Sequence, residues 1–218
     1  NYTILTSTLP YMKLKLLFLL VPFFGFAQND LLFEIDTTMN KQVVNSAFKA
    51  LKIVNLESTK VAAKGDLYFI VAHRFGSVKD GFEGFYGLDN ANTQIKFLYG
   101  LTDWLTISGA RSELAYDFSV KYRLKDQVED GFPVAIAGFN SLAINNTLKE
   151  SLYPNMNFEN RLIYVTQILI SRKFTERLSL ELAPTFFHEN FVTNDLQDNS
   201  QYAIGVGGRY KISKRVSI

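Results

Sequence analysis

Apolar and polar residues alternate strictly along most of this chain, stop at short turns and then resume, and this pattern limits its fold more than any other feature. In residues 115–123, Tyr116, Phe118, Val120 and Tyr122 share one parity, while Asp117, Ser119, Lys121 and Arg123 share the other. A period of two is the side-chain period of a β-strand, not of a helix. Residues 177–188 repeat it, with Leu178, Leu180, Leu182 and Phe186 opposing Ser179, Glu181, Ala183 and Thr185. Residues 201–211 do so again, with Tyr202, Ile204, Val206 and Tyr210 opposing Gln201, Ala203, Gly205, Gly207, Arg209 and Lys211. With 47% hydrophobic and 14% aromatic residues the chain can bury a core, so intrinsic disorder is excluded.

The alternation predicts strands at 65–73, 93–100, 104–111, 115–123, 132–142, 159–171, 176–188 and 200–211, with a ninth beginning at Arg215. Short turns at 101–103, 174–175 and 212–214 contrast with long Gly/Asn/Asp-rich links at 75–92, 143–158 and 189–199. Short turns on one side and long loops on the other characterise a transmembrane barrel of antiparallel hairpins. Segments 99–107, 172–180 and 210–218 share one template: apolar, Thr/Ser, charged, Trp/Arg, Leu/Val, Thr/Ser, Ile/Leu. The fold class expected is therefore all-β, an antiparallel up-and-down transmembrane β-barrel. Because the third copy of the template runs to Ile218, the barrel is expected to be C-terminally truncated. A soluble lipocalin-like barrel shows the same alternation with its faces reversed, and is the competing architecture.

The N-terminal region reads as an export signal. Residue 1 is Asn and Met12 the expected start, which makes residues 1–11 an upstream extension. Met12 and Lys13 open a basic segment, residues 16–26 are apolar, and Gly25 and Ala27 sit at −3 and −1 of a cleavage site. Residues 12–27 are thus expected to form a cleaved signal peptide, with the mature chain starting near Gln28. Residues 28–64 are neither cleanly helical nor cleanly alternating, and are expected to form a periplasmic stub, a plug or an extra strand. Residues 65–218 form the barrel domain. The expected location is the outer membrane of a Gram-negative bacterium, with outer-membrane lipid and small solutes as partners and the barrel-assembly machinery implied.

Residues 64–76, which contain His73-Arg74-Phe75-Gly76, and the later Gly87-Leu88-Asp89 resemble the opening of an uncharacterised β-barrel family of Gram-negative outer membranes, a domain of unknown function. Residues 97–107 and 121–127 are similar to it too. The resemblance implies the fold and the location, and transfers no site.

Composition removes most chemistry. Without cysteine there is no thiol catalysis, iron–sulfur cluster, covalent c-type haem or disulfide scaffold. A net charge of +2 with no Lys/Arg cluster gives no footprint for nucleic acid. Neither His73 nor His188 has a second ligand at metal spacing, so neither metal nor cofactor is expected. Ser77 or Ser112 near His73 could mimic a hydrolase pair, yet no spacing selects a triad. His73 and Arg74, ending the first strand, are candidates for a rim site facing an anionic solute or for tethering the loop to Asp80 or Asp89. Lys96, Asp117, Lys121, Arg123, Glu181 and Arg209 are placed inward, because a lipid-facing charge costs about 2–4 kcal/mol at the bilayer midplane. The activity expected is that of a porin or solute channel. The alternatives are a closed structural or adhesion barrel, an outer-membrane lipid-modifying enzyme and a soluble periplasmic lipocalin-like binding protein.

Overall fold

The computed structural model describes residues 43–218 apart from Asn45, Glu150 and Asp195. The predicted extension, the signal peptide and residues 28–42 lie outside the described residues. All eight predicted strands form. After a two-residue hairpin, β1 (Lys52–Ile53) with β2 (Leu56–Glu57), come β3 (Leu67–Arg74), β4 (Asn92–Gly100), β5 (Leu105–Arg111) and β6 (Ala115–Lys125). They are followed by β7 (Ala135–Asn145), β8 (Leu162–Lys173), β9 (Leu178–Glu189) and β10 (Ser200–Tyr210). Strands β3 to β10 pair in chain order as one antiparallel eight-stranded meander, with β3 and β10 at its edges. Among the described residues the regular helices are short 3-10 turns in the links, at Val78–Asp80, Phe85–Asn90 and Phe158–Arg161.

The repeated template is a repeated turn. Leu101, Phe174 and Ile212 each donate their N–H to the carbonyl four residues on, at 2.9, 2.9 and 3.0 Å. The Oγ atoms of Thr102, Thr175 and Ser213 each accept an N–H two residues on, from Trp104, Arg177 and Arg215. This local bond is the reason Thr or Ser recurs there. At the third copy the chain turns back, and Tyr210 and Ile218 exchange backbone bonds of 2.7 and 2.9 Å.

Register assigns every residue to a face. The pairs Phe69↔Phe97 and Val71↔Ile95 put one apolar parity together, and Val206↔Leu182 and Tyr202↔Phe186 continue it at the far edge. This face is open: Tyr202, Ile204 and Val206 are 83, 72 and 73% exposed. The opposite face buries Lys96, Thr106, Lys121, Ser171, Ser179 and Glu181. A water-soluble barrel has the reverse polarity, and an apolar exposed surface of this extent belongs in lipid.

The buried face curls around residues 46–64. Leu56 packs against Gly205 on β10, and Glu57, the next residue, meets Lys96 on β4. Six strand spacings separate β4 from β10, about 29 Å in a flat sheet. Side chains stand roughly perpendicular to a sheet, so they converge on adjacent residues only if it bends around them. The driest point lies where Ala137, Leu169 and Ala183 of β7, β8 and β9 meet Leu56 and Phe139. Leu169, on the inner face of β8, covers the inserted segment here. The β8–β9 ladder skips Ile168 and Leu169 opposite Pro184 and Ala183, since proline has no N–H to donate.

Candidate functional site

The inserted segment is held mainly by polar contacts. Ser58 closes it on itself, its Oγ donating to the Ala50 carbonyl at 2.7 Å and its N–H to that of Leu51 at 3.0 Å. Thr59 bridges two strands, with its N–H on Glu181 Oε2 at 3.0 Å and its Oγ1 2.6 Å from Ser171 Oγ. The Ala62 N–H donates to Thr106 Oγ1 at 2.9 Å. Two glycines let the segment come this close: a β-carbon on Gly100 would run into the Ala63 carbonyl, and one on Gly205 into Leu56. Gly205 and Gly207, on the parity shared with Arg209 and Lys211, seat Leu56 and Ile53.

At the centre is a carboxylate among lysines. Glu57 Oε2 lies 2.8 Å from Lys121 Nζ, and Oε1 lies 3.1 Å from Lys52 and 3.6 Å from Lys96. Lys121 also donates to the carbonyls of Leu51 and Ser58, at 2.9 and 3.2 Å. Its three ammonium donors are thereby all used. Burial works to raise the pKa of Glu57, but Lys121, Lys96 and Lys52 outweigh it and hold the carboxyl at about 2, below its ordinary 4.5. Glu181 is buried nearby, with Oε1 making no hydrogen bond among the described residues.

The sequence candidates separate into groups. Lys96 and Lys121 converge on Glu57, and Glu181 meets the same segment through Thr59. Asp117 lies on the buried face, where Gln94 Nε2 donates to it at 3.0 Å. Arg123 and Arg209 lie near the short turns, 3.5 Å from Asp126 and 3.3 Å from Ser217 Oγ respectively. His73 and Arg74, neighbours on β3, point to opposite faces. His73 is on the apolar face, 2.9 Å from Thr93 Oγ1, and its partner across the ladder is Thr93; Arg74 pairs with Asn92 on the other face. His188 repeats the His73 arrangement, 2.8 Å from Ser200 Oγ across the β9–β10 ladder. Asp89 lies in the long 75–91 link, exposed. Glu57, Lys52 and Thr59 were not among the candidates. Their one signal was a lone carboxylate in an apolar, non-periodic stretch.

Residues 48–218 match the family model described as Membrane bound beta barrel domain (DUF5777), a span that includes residues 73–76 and 87–89. No curated protein and no solved structure matches the chain. The matched span takes in the inserted segment from Phe48 onward together with all eight long strands, and its apolar outer face and polar inner face suit a bilayer: this chain belongs to the family of membrane-bound β-barrel domains.

Proposed function

We propose that the chain forms a solute passage in the outer membrane of a Gram-negative cell, shut at rest by residues 46–64. The observation that carries this reading is the nature of the contact between segment and wall. A barrel with a purely structural role can fill its interior with packed apolar side chains. Here the wall holds Glu57, Thr59 and Ala62 of the segment through lysines, a carboxylate and hydroxyls, groups that water satisfies equally well once the segment leaves. Further along the same face the wall stays polar, with Ser108 2.6 Å from Ser119 and Gln167 Nε2 donating to Thr185 Oγ1 at 2.9 Å. Lipid surrounds the apolar face, the barrel-assembly machinery inserts the strands, and the passage needs neither cofactor nor catalytic group.

Planar-bilayer recording tests this. The intact chain should be silent or open rarely, and a variant lacking residues 46–64 should give steady conductance. A deletion variant that inserts and still conducts nothing would leave the closed structural barrel as the better reading.

A further inference from the structure

Strands β4 and β6 each bring one lysine to the same carboxylate, one on each oxygen. Lys121 Nζ meets Oε2 of Glu57 at 2.8 Å and Lys96 Nζ approaches Oε1 at 3.6 Å. Both lysines belong to the wall. The backbones of β4 and β6 are fixed through β5, where Lys96 pairs with Ala110 and Lys121 with Thr106. The carboxylate, by contrast, belongs to the insert. It rides on the hairpin of β1 and β2, whose own ladder is only Lys52↔Glu57 and Ile53↔Leu56. The durable part of the site is therefore a pair of buried cations, and its replaceable part is an anion of carboxylate shape.

We propose that Lys96 and Lys121 form a binding site for a small carboxylate solute, and that Glu57 fills it as an internal stand-in. This rests on the passage reading above and names its substrate class. When the hairpin withdraws, Lys52 and Glu57 leave together, and the two wall lysines lose the carboxylate they share. Two ammonium groups in a confined space repel, and a carboxylate bound between them removes that repulsion. The rest of the buried face carries both signs, Arg74, Arg123, Lys173 and Arg209 against Asp117, Glu181 and Glu189, with Lys173 already engaged by Glu176. Asp117 lies level with Lys96 across β5 and is engaged by Gln94, so one wall carboxylate partly offsets that lysine. A solute carboxylate and Glu57 cannot occupy the lysines at once, so solute binding favours release of the segment.

Trypsin reports that release, because Lys49, Lys52 and Lys60 lie within the segment. The intact chain in detergent micelles, treated with trypsin, should be cut in residues 46–64 several-fold faster in sodium succinate than in sodium chloride at matched ionic strength. Glu57→Gln should be cut rapidly in both. Lys96→Gln should lose the response to succinate, and Lys121→Gln should do the same if it folds; Lys96 makes fewer contacts and keeps the test decisive if it does not. Equal rates in succinate and chloride for the intact chain would overturn the proposal. In bilayers, the variant lacking 46–64 should prefer anions by its reversal potential, and Lys96→Gln in that background should abolish the preference. A deletion variant that conducts without preference sinks the carboxylate site and leaves the passage standing. A succinate response without conductance sinks the passage and leaves the site.

Discussion

Lys121 is buried with all three donors used, so what it contributes depends on its partners staying in place. Replacing it with Met leaves Glu57 buried opposite Lys96 and Lys52 alone. Removing one partner of a buried pair typically costs about 3–5 kcal/mol. The Lys121→Met variant should accordingly show a much lower denaturation midpoint in detergent. Glu57 also sets a pH dependence. Its carboxyl is held at about 2 in the folded chain against the ordinary 4.5, so its stabilisation is complete above about pH 4.5 and fades as the pH falls toward 2. Thermal denaturation between pH 7 and pH 2 should show that loss in the natural chain, and less of it in Glu57→Gln. Parity alone made Lys96, Asp117, Lys121 and Glu181 legible, since the face of a strand residue follows from its neighbours. Glu57 was not legible, because the residues around it have no period and its wall partners Lys96 and Lys121 lie 39 and 64 positions away along the chain. Parity should also have separated His73 from Arg74, which adjacency in sequence made look like a unit.

The elements were legible to within a few residues, and the shifts at their ends have physical causes. β7 was expected over 132–142 and forms at Ala135–Asn145. Pro133 has no ladder N–H, and the Val128 N–H closes the preceding turn on the Phe132 carbonyl, so pairing starts later. β8 begins at Leu162 and not 159, because Asn157 and Asn160 form a reciprocal capping box around a 3-10 turn at Phe158–Arg161. Both signals were present in the sequence and were outweighed by the alternation running through them. The short turns make a prediction of their own. Thr175 Oγ1 accepts from both Arg177 and Leu178, at 3.1 and 3.0 Å. Thr175→Val keeps the shape and loses the acceptor, and should lower stability by about 0.5–1.5 kcal/mol in chemical denaturation.

At the scale of the whole molecule, polarity is turned inside out, and substitution on the two faces should give opposite results. Ile204 and Ala203 are neighbours on β10 with opposite facing. Ile204→Lys puts a charge into lipid and should cost about 2–4 kcal/mol near the midplane, whereas Ala203→Lys joins the polar face and should cost far less. Folding yield into lipid vesicles at graded urea measures both; equal losses would mean that the apolar face is not the one in lipid.

The inserted segment precedes the eight long strands, and yet its contacts reach the last of them. Thr59 bonds to Ser171 and Glu181, which lie 112 and 122 residues further on, and Leu56 rests on Gly205. Those partners share a surface only after β8, β9 and β10 have paired. A segment that precedes the long strands must therefore wait for the last of them to find its place, and loops of this length close slowly. Until then Leu56 lacks the cover it has against Leu169, Ala183 and Gly205. In a refolding time course, resistance of the strands to unfolding on an unheated gel should precede protection of Lys49 and Lys60 from trypsin, and the delay between them times the seating of the segment.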